Sequence, residues 1–171
     1  RIKDICLKEY GEDFPFDLVK EERYVLTNSI IEKEGIPIKK GLRELLDFLD
    51  PLNIKKAVAT SSGRDRASIF FNKTDLTKYF DYILCGNEVK KSKPDPEIFL
   101  TVAKKLNCDV KNTIVLEDSE VGIIAAYKGG MIPFLVPDMK QPSQEILDIC
   151  FQSFTSLLDV KQYLEKVLKE K

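Results

Sequence analysis

Three short stretches of this 171-residue chain carry side chains suited to chemistry. The first is a pair of adjacent acids, Glu117 and Asp118, ending the apolar run Ile114, Val115, Leu116 within TIVLEDSEVGIIAAYKGG. Neighbouring carboxylates can hold a hard cation such as magnesium through oxygen, with water and a substrate phosphate filling the shell. Asp118 or Ser119 is also suited simply to cap the helix that follows. The second stretch is Thr60, Ser61, Ser62 and Gly63: hydroxyls at a helix N-terminus, beside unpaired N–H groups, make a site for phosphate, and equally make a plain cap. The third is Lys93 in KKSKPDPEIF, where the following proline favours an extended lysine that can act as a point charge on a phosphoryl group. Lys90 and Lys91 read as solvated, and a loop lysine is ordinarily just that.

The elements that must position these groups follow from the apolar pattern. Lys55–Thr60, Tyr82–Cys85, Thr113–Glu117 and Ile132–Val136 read as strands. They alternate with helices over Arg64–Asn72, Pro96–Leu106 and Val121–Lys128, the second with Asp95 at its cap. Glu145–Ile149, a short strand Phe151–Phe154 and a basic amphipathic helix Ser156–Lys169 finish the chain. Repeated strand–helix units predict an α/β fold, a Rossmann-like three-layer α/β/α core with a mostly parallel sheet. In such sheets ligands sit at the carboxyl ends of strands, where Thr60 and Glu117 fall. The run before Glu117 suits a strand buried on both faces. Val121, Ile124 and Ala125 mark one face of the next helix, with Gly122 and Ala126 small enough for close packing, and Gly129 and Gly130 stop it. Pro133 places its strand towards a sheet edge. Ahead of this core, Phe16 to Glu34 forms a helix with Phe16, Val19, Leu26 and Ile30 as its packed stripe. Gly35, Ile36 and Pro37 break it, and a helix over Leu42–Leu49 opens the second unit. The division expected is 1–37 and 38–171.

Composition narrows the chemistry. Lys plus Arg is 27 against 28 for Asp plus Glu, a net charge of -1 that gives no electrostatic footprint for nucleic acid. No apolar run approaches a membrane span and no signal peptide is visible. The four cysteines, Cys6, Cys85, Cys108 and Cys150, lack CxxC spacing and fit reduced thiols in a cytoplasmic protein. Histidine is absent, which excludes Ser-His and Cys-His nucleophiles and histidine-ligated metals. Carboxylates, lysine, hydroxyls and a hard metal remain.

Taken together, VATSSGR, KPDPEIF and LEDSEVGIIAA, followed by GMIPFLVPD, fall in an order and spacing that resembles the haloacid dehalogenase superfamily, and most closely its branch of sugar-phosphate phosphatases and β-phosphoglucomutase-like enzymes. The resemblance implies that Thr60 hydrogen-bonds a substrate phosphate, with Ser61 and Ser62 beside it, and that Lys93 steadies a nucleophile and its phosphorylated form. It implies that Glu117 and Asp118 hold Mg2+. It further implies that residues 1–37 are the C-terminal half of a small helical cap, in which Lys20 falls near a phosphate-gripping lysine of related mutases.

One departure accompanies these agreements. The family's first motif, an apolar strand ending in D-x-D-G-[TV], supplies the nucleophilic aspartate and is not found here. Asp13 and Asp17 have the wrong spacing, and Asp50 and Asp138 fit no better. The chain also opens at Arg1 inside a helix-like pattern. The expectation is an N-terminally incomplete sequence, short by about 50 residues on usual element lengths and including the sheet's first, central strand. The parent protein is then expected to be a magnesium-dependent phosphatase for a small phosphorylated metabolite such as a sugar phosphate, working through an aspartyl phosphate. The 171 residues alone are expected to be inactive. The alternatives are β-phosphoglucomutase-type transfer to a second hydroxyl, or a non-catalytic remnant that binds a ligand or partner. A monomer is favoured.

Overall fold

A computed structural model describes residues 2–138 and 141–169, which divide into two compact units, Arg1–Pro37 and Ile38–Lys171. The first contains helices α1 (Ile2–Tyr10) and α2 (Phe16–Glu34). An exposed ion pair from Lys3 to Asp17, 2.6 Å long, links them, and Tyr10 stacks on Phe14. The stripe read from the sequence of α2 does not mark its packed residue. Val19, Leu26 and Ile30 are exposed and Ile31 is buried, because a two-helix unit offers each helix little surface to pack on.

The second unit carries five short strands: β1 (Ala57–Thr60), β2 (Tyr82–Cys85), β3 (Ile114–Glu117), β4 (Ile132–Leu135) and β5 (Gln152–Ser153). Its helices are α3 (Leu42–Leu49), α4 (Arg64–Thr74), α5 (Glu97–Leu106), α6 (Glu120–Lys128), α7 (Gln144–Ile149) and α8 (Leu157–Lys169). Every strand pairing is parallel, as strand–helix–strand crossovers require. The pairing nevertheless comes in two pieces, β1–β2 and β3–β4–β5, and among the described residues no ladder joins β1 to β3.

The seam is bridged from one side by helices. Leu84 of β2, Ile98, Phe99 and Ala103 of α5, Val115 of β3 and Ala125 and Ala126 of α6 share one apolar cluster, so α5 and α6 cover both pieces. On β4 successive side chains part to opposite faces. Phe134 packs with Leu45 of α3, Phe154, and Leu157 and Val160 of α8, whereas Leu135 packs with Ile123 of α6 and Ile146 of α7. The result is helix, sheet, helix.

Three sequence expectations are corrected here. β3 is not buried on both faces: Val115 enters the core, but Ile114 and Leu116 remain 39% and 38% exposed beside the seam. The buried face of α6 is Gly122, Ile123, Ala125 and Ala126 rather than Val121, Ile124 and Ala125. Finally, β4 is not an edge strand but lies between β3 and β5. Pro133 is tolerated there because the amides of Ile132 and of Val136, just past the end of β4, serve the β3 side, turning the proline nitrogen towards β5, whose pairing begins only at Phe134.

Candidate active site

Lys93, with 9% of its surface exposed, is the one buried polar or charged residue among the described residues. An ammonium there is costly unless its hydrogens are matched and its charge compensated. Its Nζ donates to the Ala59 carbonyl of β1 at 3.1 Å and to Glu117 Oε1 at the end of β3, and lies 4.6 Å from the centre of the Phe99 ring on α5. A carbonyl, a carboxylate and the negative face of an aromatic ring thus surround it. One side chain ties together the strand pieces that no ladder joins.

The loop that delivers Lys93 is pinned by a residue whose role the sequence did not disclose. The Glu97 carboxylate, in the first turn of α5, accepts from the backbone N–H groups of Lys90 and Lys91 at 2.8 and 2.9 Å. Asp95 Oδ1 accepts from Glu97 N at 3.0 Å, one residue ahead of Pro96, which takes the cap position expected for Asp95. The Lys93–Pro94 peptide bond is cis.

Glu117 and Asp118 are neighbours held in different ways. Glu117 Oε1 faces Lys93, while Oε2 accepts from the Ser119 hydroxyl at 2.9 Å and from the amides of Asp118 and Ser119 at 3.2 and 3.3 Å. The carboxylate lies flat against the start of α6, where only glycine leaves room: a Cβ on Gly122 would fall 2.1 Å from the Glu117 carboxyl carbon. The cap of α6 is Ser119, whose Oγ accepts from Gly122 N at 3.1 Å. Asp118 is therefore not needed as the cap. Its half-exposed carboxylate has Lys39 Nζ 3.5 Å from Oδ2, and the same ammonium is 3.6 Å from Asp138 Oδ2, in the loop after β4. Lys39 had no signal in the sequence, and Asp138 none as an ion-pair partner.

The hydroxyl loop after β1 is braced on the loop after β2. Thr60 Oγ1 accepts from Ser62 N at 3.1 Å, which leaves the hydroxyl hydrogen for another acceptor. Gly86 N donates to Ser62 O at 2.9 Å, and Gly86 sits so near that a Cβ would come 2.5 Å from Ser61 O. Arg64, at the start of α4, forks onto Glu88 through Nε at 2.9 Å and Nη2 at 2.6 Å, and Nη2 also reaches the Ile83 carbonyl. Asn87 Oδ1 accepts from Arg64 N at 3.0 Å. The Arg64 guanidinium, foremost, and the Cys85 amide hold the Glu88 carboxyl below the ordinary glutamate range. Burial pushes the Cys85 thiol up, so it stays protonated.

Of the residues singled out from sequence, Lys93 and Glu117 meet directly. Asp118 adjoins them through the Glu117 carboxylate, and Thr60 is one residue from the carbonyl that anchors Lys93. Ser61 and Ser62 continue that loop, Ser61 exposed and Ser62 half-buried. Lys20 is an exposed residue of α2 in the other unit.

The donor set suits magnesium by its chemistry. Mg2+ commonly takes one or two carboxylates, keeping waters and substrate phosphate in its other positions. Asp118 presents hard oxygens that are open to solvent, next to a second carboxylate. Among the described residues no group of three or more histidine, cysteine or acidic side chains could enclose a metal alone.

A family model for haloacid dehalogenase-like hydrolases matches residues 7–136, a span that takes in all three stretches. The chain belongs to the haloacid dehalogenase-like hydrolase family. Within the family it is 36% identical over 125 residues to a phosphorylated carbohydrates phosphatase of Thermotoga maritima, covering 73% of this chain and 55% of that one. It is 35% identical over 115 residues to a haloacid dehalogenase-like hydrolase domain-containing protein of Arabidopsis thaliana, covering 66% of this chain and 35% of that one. The solved β-phosphoglucomutase of Clostridium difficile superposes with a TM-score of 0.74 at 26% identity, covering 99% of this chain and 77% of that one. This haloacid dehalogenase-like chain thus sits close to sugar phosphatase and β-phosphoglucomutase homologues, and spans about half the length of the phosphatase relative.

Proposed function

We propose that the protein is a magnesium-dependent phosphatase for a small phosphorylated carbohydrate, acting through an aspartyl phosphate. The observation that carries this reading is the Lys93 ammonium held between the Ala59 carbonyl and the Glu117 carboxylate, where the carboxyl ends of β1 and β3 meet. A positive charge fixed there counters charge on a transferring phosphoryl group. Thr60, with the Ser61 amide and Ser62, holds the phosphoryl oxygens. Asp118, with Glu117 beside it, holds Mg2+, which when bound neutralises phosphoryl charge. The nucleophile is an aspartate of a D-x-D strand, a spacing that no two aspartates of these 171 residues have. Residues 1–37, with Lys20, belong to a helical cap, and 38–171 to the catalytic core. On this reading the 171 residues alone should not turn over.

Likeness to β-phosphoglucomutase favours one second reading, in which a substrate hydroxyl rather than water takes the phosphoryl group. Four unpaired cysteines fit a reducing cytoplasm, and no described helix is long and apolar enough to cross a membrane. We take the protein to be monomeric.

The test is release of phosphate from an aryl phosphate by the product of the complete reading frame. Activity is expected only with Mg2+, and Asp118→Asn should lower kcat by about a hundredfold or more, as loss of a charge-stabilising group does. Turnover that persists in excess chelator refutes the metal assignment.

A further inference from the structure

We propose that Lys39 is a positioning residue, an internal counter-cation that occupies the Asp118 carboxylate until a divalent cation displaces it onto Asp138. The inference rests on Asp118 being a cation ligand, as proposed above.

Three observations carry it. The Lys39 ammonium lies 3.5 Å from Asp118 Oδ2 and 3.6 Å from Asp138 Oδ2, so it is shared almost equally between two carboxylates rather than committed to one. All three side chains are substantially exposed, at 40%, 48% and 58%, so the ammonium can move between them without entering or leaving a packed interior. The backbone beneath it is fixed: Leu42 N donates to Lys39 O at 3.1 Å, and Gly41, at φ +86°, lies so close to α8 that a Cβ would meet Leu158 N at 2.2 Å. The anchor is fixed and the charge is shared.

A divalent ion on Asp118 and an ammonium on the same carboxylate repel each other, and the doubly charged ion prevails. Asp138 gives the displaced ammonium a second partner, so metal entry moves Lys39 without leaving it unpaired. Two consequences follow. Lys39 weakens the intrinsic cation affinity of the site, and Asp138 moderates that weakening.

The experiment measures binding of Mn2+ alone, by its paramagnetic signal, to the complete protein and to variants at 39, 40 and 138. Lys39→Met should tighten Mn2+ binding by about threefold to fivefold, the range a half-exposed ion pair is worth. Lys39→Arg should stay near wild type. Lys40→Met removes the same charge one residue away, where no pairing with Asp118 exists, and should change affinity by less than about 1.5-fold. Asp138→Asn should weaken Mn2+ binding about twofold in the wild-type background and much less when combined with Lys39→Met. Equal Mn2+ affinities for wild type and Lys39→Met overturn the displacement while leaving the proposed function intact. An effect of Asp138→Asn on Mn2+ affinity that is the same with and without Lys39→Met overturns the role of Asp138. If neither wild type nor Lys39→Met binds Mn2+, the metal-dependent function fails, and the displacement with it.

Discussion

Replacing Gly122 by alanine sets two effects of opposite sign against each other. Gly122 lies in the first turn of α6, and a helical Gly→Ala change ordinarily stabilises by about 0.5–1 kcal/mol. Here the new methyl would lie 2.1 Å from the Glu117 carboxyl carbon and 2.3 and 2.4 Å from its two oxygens. If the carboxylate gives way, Lys93 keeps a nearly buried ammonium with no anion beside it, and breaking such a pair costs about 3–5 kcal/mol. If instead α6 gives way, Ile123, Ala125 and Ala126 move with it, each fully buried, and overpacking of this kind costs about 1–3 kcal/mol. The protein takes the cheaper route. After the helical gain is credited, the net loss should be about 1–2 kcal/mol. Urea denaturation reads this directly: with a slope of about 1–3 kcal/mol per molar, the midpoint should fall by about 0.5–1 M. The companion measurement repeats the change in a Glu117→Ala background, where the obstacle is gone and alanine at 122 should stabilise by up to about 1 kcal/mol. A midpoint that rises in the wild-type background, or shifts equally in both, would refute this account of the site.

Two further outcomes follow from the same contacts. Lys93→Met should leave the Glu117 carboxylate without its cation and lower stability by about 3 kcal/mol, whereas Lys93→Met with Glu117→Gln should recover much of the loss, as thermal or urea unfolding would show. Glu88 titrates below its ordinary range when folded, so its contribution is complete above the unfolded value and is lost as pH falls through the depressed folded one. Stability measured at pH values from about 6 down to about 3 should therefore decline less steeply in Glu88→Gln, and an unchanged acid limb would show that the Arg64 fork contributes nothing.

How much of this was legible in the sequence depended on distance along the chain. The strand ends at Thr60 and Glu117 could be read because an apolar run stopping at hydroxyls or acids is a local pattern, and the start of α5 could be read to within a residue for the same reason. The partners were not legible. Lys39 meets Asp118 across 79 residues, and Arg64 meets Glu88 across 24, and neither pair leaves any periodicity to find. Gly122 was read as a small residue that lets a helix approach the sheet, yet the group it makes room for is a carboxylate five residues earlier. The face of α6 was misplaced because its run of small and apolar residues has no clear polar side, so only packing decides which of them are covered. Pro133 was read as an edge residue from its missing N–H, but whether that absence matters depends on which neighbour the amide would have faced.

The two strand pieces give Lys93 a structural task that coincides with its chemical one. β3 carries apolar side chains to both faces, yet only Val115 is buried while Ile114 and Leu116 stay substantially exposed beside the seam. A partly exposed apolar side chain gains only in proportion to the area it buries, so this strand supplies less stability than its composition allows. Beside the apolar cluster under α5 and α6, β1 and β3 share a polar tie: one ammonium held by a backbone carbonyl and a carboxylate, roofed by α5. Because the tie is an ion held at the carboxyl ends of the strands, the feature that joins the two pieces is also the one that presents positive charge where a phosphoryl group would be handled. Any strand that filled the seam alongside β1 and β3 in the same direction would end beside Lys93. Its last side chain would then meet a cation already desolvated and oriented, which is why the position of Lys93 constrains both the packing of this core and the chemistry it can perform.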